Sequence, residues 1–187
     1  MKATQAPFPS FGVDCVTVLD PVSAYALKRA GAAFAVRYLG SVTNAELTSI
    51  LGAGLLVALV TYAGQWDPAR AVAELSALGV PAGVTVWLDV ESVHQDPTQQ
   101  VNAWADAVQA GGWQPGLYVG SNTGLTAQQL YGLRVVRYWR SMSDVPTPKC
   151  GYCMQQLFPT TVVAGVLVDV DVVQQDWEGR VATFIGP

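Results

Sequence analysis

Short apolar runs alternate with amphipathic segments from Phe11 to the end of the chain. The apolar runs predict eight β-strands, at Phe11–Asp14, Phe34–Tyr38, Leu55–Tyr62, Val84–Glu91, Gly116–Gly120, Val136–Ser141, Met154–Leu157 and Leu167–Val172. Helical periodicity predicts helices over Pro21–Ala30, Asn44–Ala53, Asp67–Leu78, Pro97–Ala110 and Thr126–Leu130. Such alternation of strands and helices is typical of βαβ architectures.

Capping signals agree with these helices. Asp67-Pro68 and Asp96-Pro97 each indicate an N-cap followed by proline at the first helical position. Thr43 and Glu46 have the spacing of a capping box, in which each residue bonds the backbone of the other.

The order of the elements predicts a closed, TIM-like β/α barrel of eight strands. With 187 residues the chain is at the lower limit for this fold, so we expect reduced or missing helices in the C-terminal half. An open doubly wound sheet is the alternative, but no Gly-x-Gly-x-x-Gly motif follows a strand. Residues 1–10, with two prolines, predict an N-terminal arm, and residues 11–187 a single domain.

Acidic residues occupy one face of the fourth predicted strand. Four aliphatic residues alternate there with Thr85, Trp87, Asp89 and Glu91, so we expect the aliphatic face under the helices and the other face inside the barrel. The Cα atoms of Asp89 and Glu91 would then lie roughly 6.6 Å apart. Repulsion at this spacing predicts a raised pKa for one of the two carboxyl groups. A protonated carboxyl beside an ionised one is the arrangement that glycoside hydrolysis needs.

Two more strands end in acidic residues. Asp14 ends the first predicted strand, and Asp169 and Asp171 share one face of the eighth. Because strands one and eight are neighbours in a closed barrel, we predict that these acids meet Asp89 and Glu91 at the C-terminal mouth, where barrel enzymes carry their catalytic groups. Alternatively, a lone aspartate at a strand end caps a helix or a turn, and Asp169 could pair with an arginine, Arg37 or Arg140.

Aromatic residues also fall at or just beyond strand ends, namely Tyr38, Tyr62, Trp66, Tyr118 and Trp139. Their rings suit stacking against sugars, although packing at the mouth explains each of them equally well. We take Tyr38, Tyr62, Tyr118 and Trp139 as candidate substrate-binding residues, with Asp169 and Asp171. Gln156 joins them as a side chain able to bond a substrate hydroxyl or to orient an acid.

Composition narrows the range of partners. Net charge is −4 with a pI near 4.7, and no cluster of basic residues is present, so nucleic acid is not an expected partner. The most apolar run, Leu55–Val60, is too short to span a bilayer, so membrane insertion is not expected. No Sec-type signal peptide follows Met1, which predicts a protein that is cytoplasmic when made, then exported by another route or carried by a phage.

The cysteines and the histidine give weaker signals. Cys150-Gly-Tyr-Cys153 has the spacing of a redox dithiol but precedes a strand, so an incidental pair, a local disulfide and a catalytic thiol all stay open. Cys15 leaves an odd number of cysteines. His94 is the one histidine, so neither a zinc site nor a serine-hydrolase triad is indicated, and no metal or cofactor is expected.

Several segments resemble the glycoside-hydrolase-like domain family of bacterial and phage proteins. These segments are Gly12-Val13-Asp14, the run from Ala35 to Gly40, Thr43-x-x-Glu46 and Ala53-Gly54-Leu55. That family is similar to the Chalaropsis-type lysozymes of glycoside hydrolase family 25, which cleave peptidoglycan glycan strands with a short β/α barrel. Their Asp-x-Glu motif is similar to Asp89-Val90-Glu91, their first-strand Gly-x-Asp to Gly12-Val13-Asp14, and their last-strand aspartate to Asp169 or Asp171.

The resemblance implies a role for each acid and a substrate. Glu91 would be the acid, Asp89 the stabilising partner or the base that orients water, and Asp14 a substrate-positioning acid. The implied reaction is hydrolysis of a β-1,4 bond in cell-wall peptidoglycan, without metal, as in a phage lysin or an exported bacterial protein. The alternative is a barrel that binds glycan without cutting it and serves as a cell-surface or virion component.

Overall fold

The computed structural model describes residues 1–61, 67–93 and 95–187, apart from the side chains of residues 158 and 159. Its strands are Lys2–Gln5 (β1), Ser10–Asp14 (β2), Phe34–Tyr38 (β3), Leu56–Thr61 (β4), Thr85–Val90 (β5), Gln114–Val119 (β6), Arg137–Arg140 (β7), Met154–Val163 (β8), Val166–Val173 (β9) and Thr183–Gly186 (β10). Its helices are Pro21–Arg29 (α1), Asn44–Gly52 (α2), Pro68–Ala77 (α3), Thr98–Ala110 (α4) and Ala127–Gly132 (α5).

Eight of these strands close into a barrel. The order runs from β2 through β3, β4, β5, β6, β7 and β8 to β9, which pairs again with β2. The predicted closed barrel of eight strands is therefore confirmed. Helices are short or missing in its second half, as expected, because α5 has six residues and no helix follows β7 in the described part of the chain.

The direction of the last barrel strand departs from a TIM barrel, in which all strands are parallel. Strands β2 to β8 are parallel to one another, whereas β9 is antiparallel to both β8 and β2. Only Ala164 and Gly165, both with positive φ, connect β8 to β9. Two residues are enough for an antiparallel hairpin, but a parallel pair needs a crossover of about a dozen residues.

The prediction for β8 was wrong about the length of the strand. We expected the strand to end at Leu157, but it continues to Val163, with a register irregularity between Leu157 and Thr161. Consequently the N-terminal end of β9 lies at the mouth, and Asp169 is nearer to it than Asp171 is.

A two-stranded ribbon lies at the opposite end of the barrel. Residues Lys2–Gln5, part of the predicted arm, form β1, which pairs with β10 along its whole length. The ring of Phe184 in β10 packs 4.8 Å from that of Phe34, the first residue of β3. Because Phe34 marks the start of a parallel strand, the ribbon covers the N-terminal end of the barrel and leaves the mouth at the other end open.

The barrel wall separates two apolar layers. The four aliphatic residues that alternate in and around β5 pack with helical side chains such as Leu75 of α3 and Trp104 of α4. Trp87 points the other way and packs inside the barrel with Phe34, Trp139 and Phe184. The alternation predicted for this strand is therefore confirmed, and it directs Asp89 inward.

Helix starts follow the predicted signals in part. The Asp67 carboxylate caps α3 and accepts a hydrogen bond from Ala69 N at 3.0 Å. For α4 the prediction was one residue early, because the helix begins at Thr98 and Asp96 accepts from Thr98 N at 2.9 Å. None of the helices in the described ranges is long and apolar enough to cross a membrane.

Glu46 has a different role from the one its spacing predicted. Its backbone N–H donates to Thr43 Oγ1 at 3.2 Å, but its carboxylate lies 2.9 Å from Arg37 Nε and accepts from Leu19 N at 2.9 Å. Arg37 also donates to the backbone carbonyl of Cys15. Both charged side chains are almost fully buried, so this pair joins the segment after β2 to β3 and α2.

We predict that Gly12→Ala in β2 destabilises the barrel. A Cβ at Gly12 would lie 2.4 Å from the ring of Phe34, so the ring or the strand would have to move. Overpacking of this kind costs roughly 1–3 kcal/mol, which urea denaturation measures. Gly132→Ala in α5, where nothing lies within 4 Å of the added Cβ, is the control and should not lose stability. Equal stability of the two variants would contradict the close approach.

Candidate active site at the barrel mouth

A polar cavity of about 230 Å³ opens at the C-terminal ends of the parallel strands. The carboxyl groups of Asp14, Asp89, Glu91 and Asp169 all line it. The structure therefore brings together acids that the sequence placed on three separate strands. Their catalytic and substrate-binding roles stay predictions.

Glu91 lies at the end of β5, half-buried beside β6. A Cβ added to Gly120 would lie 2.2 Å from the Cβ of Glu91 and 2.9 Å from its Oε2. Any larger residue at position 120 would therefore occupy the space of the Glu91 side chain. The sequence analysis missed this role of Gly120, although its place at the end of a predicted strand was a signal.

Asp14 is held between β3 and β9. It lies opposite Asp169 in the β2–β9 pairing, and Tyr38 donates its hydroxyl hydrogen to Asp14 Oδ2 at 2.8 Å. The other oxygen of Asp14, and Oδ1 of Asp89, are buried without a hydrogen-bond partner among the described residues. A buried carboxyl oxygen without a partner is costly unless a proton or a ligand satisfies it.

A chain of hydrogen bonds orients Asp169. Tyr118 donates to Gln156 Oε1 at 2.7 Å, and Gln156 Nε2 donates to Asp169 Oδ2 at 3.1 Å. Thr160 Oγ1 donates to Asp169 Oδ1 at 2.6 Å, a contact that sequence reasoning missed because Thr160 lies beyond the predicted end of its strand. No arginine pairs with Asp169 in the part of the chain that the structure describes, and Gln156 orients an acid, one of its two predicted roles.

Trp139 and Asp171 lie deeper than expected for substrate-binding residues. Trp139 lines the cavity but is only 2% exposed, and its ring packs edge-on against that of Tyr118, with 4.5 Å between the ring centroids. Its Nε1 donates to Asp171 Oδ1 at 3.0 Å, and Asp171 is fully buried inside the barrel. This placement favours a supporting role for Asp171 beneath the cavity over direct contact with a ligand.

The rest of the cavity wall combines residues of the strands with residues of the loops that follow them. Tyr38 and Tyr118 line it as predicted, whereas Tyr62, Trp66 and His94 lie outside the described residues. Sequence reasoning missed the wall residues Ser121, Ser141, Met142 and Ser143, which follow β6 and β7. Their positions just beyond predicted strand ends were the available signal.

Burial dominates the electrostatics of the cavity. It raises the pKa of Asp89 to about 8, with further contributions from the negative charges of Glu91 and Asp14. Burial likewise raises the pKa of Asp14 to about 7, opposed by the hydrogen bond from Tyr38 and assisted by Asp169. The pKa of Glu91 is also raised by burial.

The sequence predicted that one pKa of the Asp89–Glu91 pair would rise, and the structure extends this, because both are raised. Asp89, with a pKa of about 8, holds its proton at neutral pH. The resemblance assigned the acid role to Glu91. In the free protein, however, the residue that binds its proton tightly is the neighbour of Glu91, Asp89. Two groups this close lose their protons in steps that belong to the pair.

The cysteines do not form a second reactive site. All three are free and buried, and burial raises the pKa of Cys153 to about 12 and also raises that of Cys150. Because the thiolate is the reactive form, this environment disfavours the catalytic thiol left open by the sequence. Among the residues described, no group of three or more His, Cys, Asp or Glu side chains is arranged to hold a metal ion.

Comparisons with known proteins agree on a family and a fold. The family described as "Rv2525c-like, glycoside hydrolase-like domain" matches residues 25–156. A crystal structure of an uncharacterised B. stearothermophilus protein is similar with a TM-score of 0.72 and 19% identity, covering 88% of this chain and 96% of that one. At this identity the likeness shows the fold alone. No curated protein matches the chain.

We predict that Asp89→Asn stabilises the protein progressively as the pH rises from about 4 to about 8. The folded pKa of about 8 is above the unfolded value, so the wild type loses stability over this interval, while asparagine mimics the protonated acid throughout. A tenfold change in proton affinity corresponds to about 1.4 kcal/mol, so the gain should reach a few kcal/mol. Thermal melts across the interval measure it.

The control for this prediction is Asp144→Asn, which changes an exposed acid. Its melting temperature relative to wild type should not depend on pH. A pH-independent difference for Asp89→Asn as well would show that Asp89 is ionised in the folded protein.

Proposed function

The chain belongs to the Rv2525c-like glycoside hydrolase-like domain family, and we propose that it is a glycosidase acting on bacterial peptidoglycan. One observation supports this above all: Asp14, Asp89 and Glu91 share one open cavity, and burial raises the pKa of each. Glycoside hydrolysis uses a pair of carboxyl groups, one of which is a protonated acid with a raised pKa. Kinship with the family 25 lysozymes, and a TIM-like ancestry of the barrel, are parts of the same proposal.

Glu91 is proposed as the proton donor. It lies beyond the end of β5 and is less buried than Asp89, so its carboxyl is the one that reaches a glycosidic oxygen in the cavity. In the reaction this proton passes to the leaving oxygen as the bond to the anomeric carbon breaks. Water finally supplies the hydroxyl at that carbon, and its second proton restores the acid.

Asp89 is proposed as the group that stabilises positive charge on the sugar or orients the water. This role needs the ionised form, whereas the free protein keeps Asp89 protonated near neutral pH. A ligand that covers the mouth would desolvate Glu91 further and raise its pKa. The proton held by the pair would then favour Glu91 and leave Asp89 charged.

Asp14 and the aromatic residues are proposed to position the sugar. Asp14 lines the cavity, and its buried Oδ1 has no partner among the described residues, so a small rotation of the carboxyl group would let it bond a sugar hydroxyl, while Tyr38 holds the other oxygen. The rings of Tyr38 and Tyr118 line the cavity and offer faces for stacking, and Tyr62 stays a candidate for the same role.

A second candidate is a barrel that binds glycan without cutting it, as a cell-surface or virion component. The observation that favours it is the same burial, since pKa values of about 7 for Asp14 and about 8 for Asp89 keep both groups largely protonated in mildly acidic solution. Protonated, these two groups can bond a sugar but supply no anion to stabilise an oxocarbenium ion.

We predict that Glu91→Gln abolishes cleavage of purified peptidoglycan by the protein. Loss of a general acid costs about 100-fold to 10,000-fold in rate, and glutamine keeps the shape of the side chain beside Gly120. Release of reducing ends, with mass analysis of the fragments, measures the effect. Circular dichroism of the variant checks that folding is intact.

Glu178→Gln is the matched control, because Glu178 is an exposed acid on the loop after β9. It should cleave at the wild-type rate. Equal cleavage by Glu91→Gln would refute the acid assignment. Glycan binding by the wild type without any reducing ends, from about pH 4 to pH 8, would instead establish the second candidate.

A further inference from the structure

A second cavity, of about 140 Å³, adjoins the central one, and we name it the annex. Asp14, Tyr38 and Asp169 line both cavities, so a single ligand can extend from one into the other. The annex lies between the segment that follows β2 and the first residues of β9.

Apolar side chains form both outer walls of the annex. Val16, from the segment after β2, is 81% exposed, and Leu167, from β9, is 61% exposed. Neither residue contributes to the core, so neither is needed there for packing. Branched apolar walls on both sides offer water few hydrogen bonds, which suits the annex to an apolar group.

Among the described residues, none that lines the annex alone is charged. Its charged residues, Asp14 and Asp169, both belong to the wall shared with the central cavity. Outside that shared wall the annex has the hydroxyl group of Thr160, which already donates to Asp169, so a ligand held by the annex alone would have few polar contacts to fix it. The occupant that fits is an apolar substituent on a hydroxyl-bearing ring whose polar part lies in the central cavity.

The size of the annex limits this substituent. Its volume of about 140 Å³ is several times the space that one buried water molecule needs. An acetyl group, with two carbons and one oxygen, leaves part of this volume unfilled. A chain longer by one or two methylene groups would fill it and cover more of Val16 and Leu167.

We infer that the annex is a subsite for the acyl substituent of an N-acylated sugar and that it accepts chains longer than acetyl. The inference rests on the proposed glycan-binding role of the central cavity. In this inference the carboxyl groups cleave or bind the sugar, and Val16 and Leu167 select among its acyl substituents.

The test is a titration of the protein with β-1,4-linked glucosamine tetramers that carry N-acetyl, N-propionyl or N-butyryl groups, followed by calorimetry. Each added methylene that becomes buried should tighten Kd roughly three- to fourfold. Leu167→Thr, which keeps a residue suited to a strand, should flatten this series. Val162→Thr, which changes the exposed cross-strand neighbour of Leu167 outside the annex, should keep the wild-type gradient.

The outcomes separate this inference from the proposed function. A series without a gradient in the wild type, a gradient that survives Leu167→Thr, or no binding of any tetramer would each overturn the annex assignment. Cleavage of peptidoglycan with a flat series would defeat the annex alone. A gradient that disappears in Leu167→Thr, without any cleavage, would support the annex and defeat the hydrolase proposal.

Discussion

Exclusion of water from carboxyl groups on the inner side of a closed wall is the constraint that shapes this protein. Closure of β9 onto β2 places Asp169 opposite Asp14, while β5 adds Asp89 from across the cavity. In water each of these carboxyl groups would be ionised at neutral pH. In the folded protein, burial raises the pKa of Asp14 to about 7 and that of Asp89 to about 8. Burial of these carboxyl groups lowers the stability of the folded protein, which is typical of sites that hold reactive groups in place.

Local patterns in the sequence were sufficient to predict most strands of the barrel wall. A strand alternates with a period of two whatever surrounds it, so the inward direction of Asp89 followed from its neighbours alone. The direction of β9 did not follow, because residues 158–163 lack a clean alternation and their strand was missed. With that stretch assigned to a loop, nine residues separated the last two predicted strands, and a hairpin could not be recognised.

The partners of individual side chains depended on contacts distant in sequence. Glu46 has the spacing of a helix cap, yet a buried arginine nine residues before it on β3 offers a stronger partner in a medium without water. Trp139 lies near the end of a strand, where a ring facing the mouth was predicted, but its indole N–H donates to Asp171, 32 residues later, inside the barrel. Spacing along the chain contains no information on either pairing.

The irregularity in β8 between Leu157 and Thr161 divides the β8–β9 hairpin into a part within the barrel wall and a tip. In the part within the wall, β9 pairs with β2 on one side and with the strand that contains Gln156 on the other, and these contacts hold Asp169 and Asp171 in position. Beyond it, the tip around Ala164 and Gly165 also packs against the main apolar core, through Val163, Val166 and Val168. The exposed outer side chains of the tip, such as Leu167, can therefore be replaced without disturbing the carboxyl groups, so related chains can vary the surface beside the mouth while the mouth itself stays unchanged.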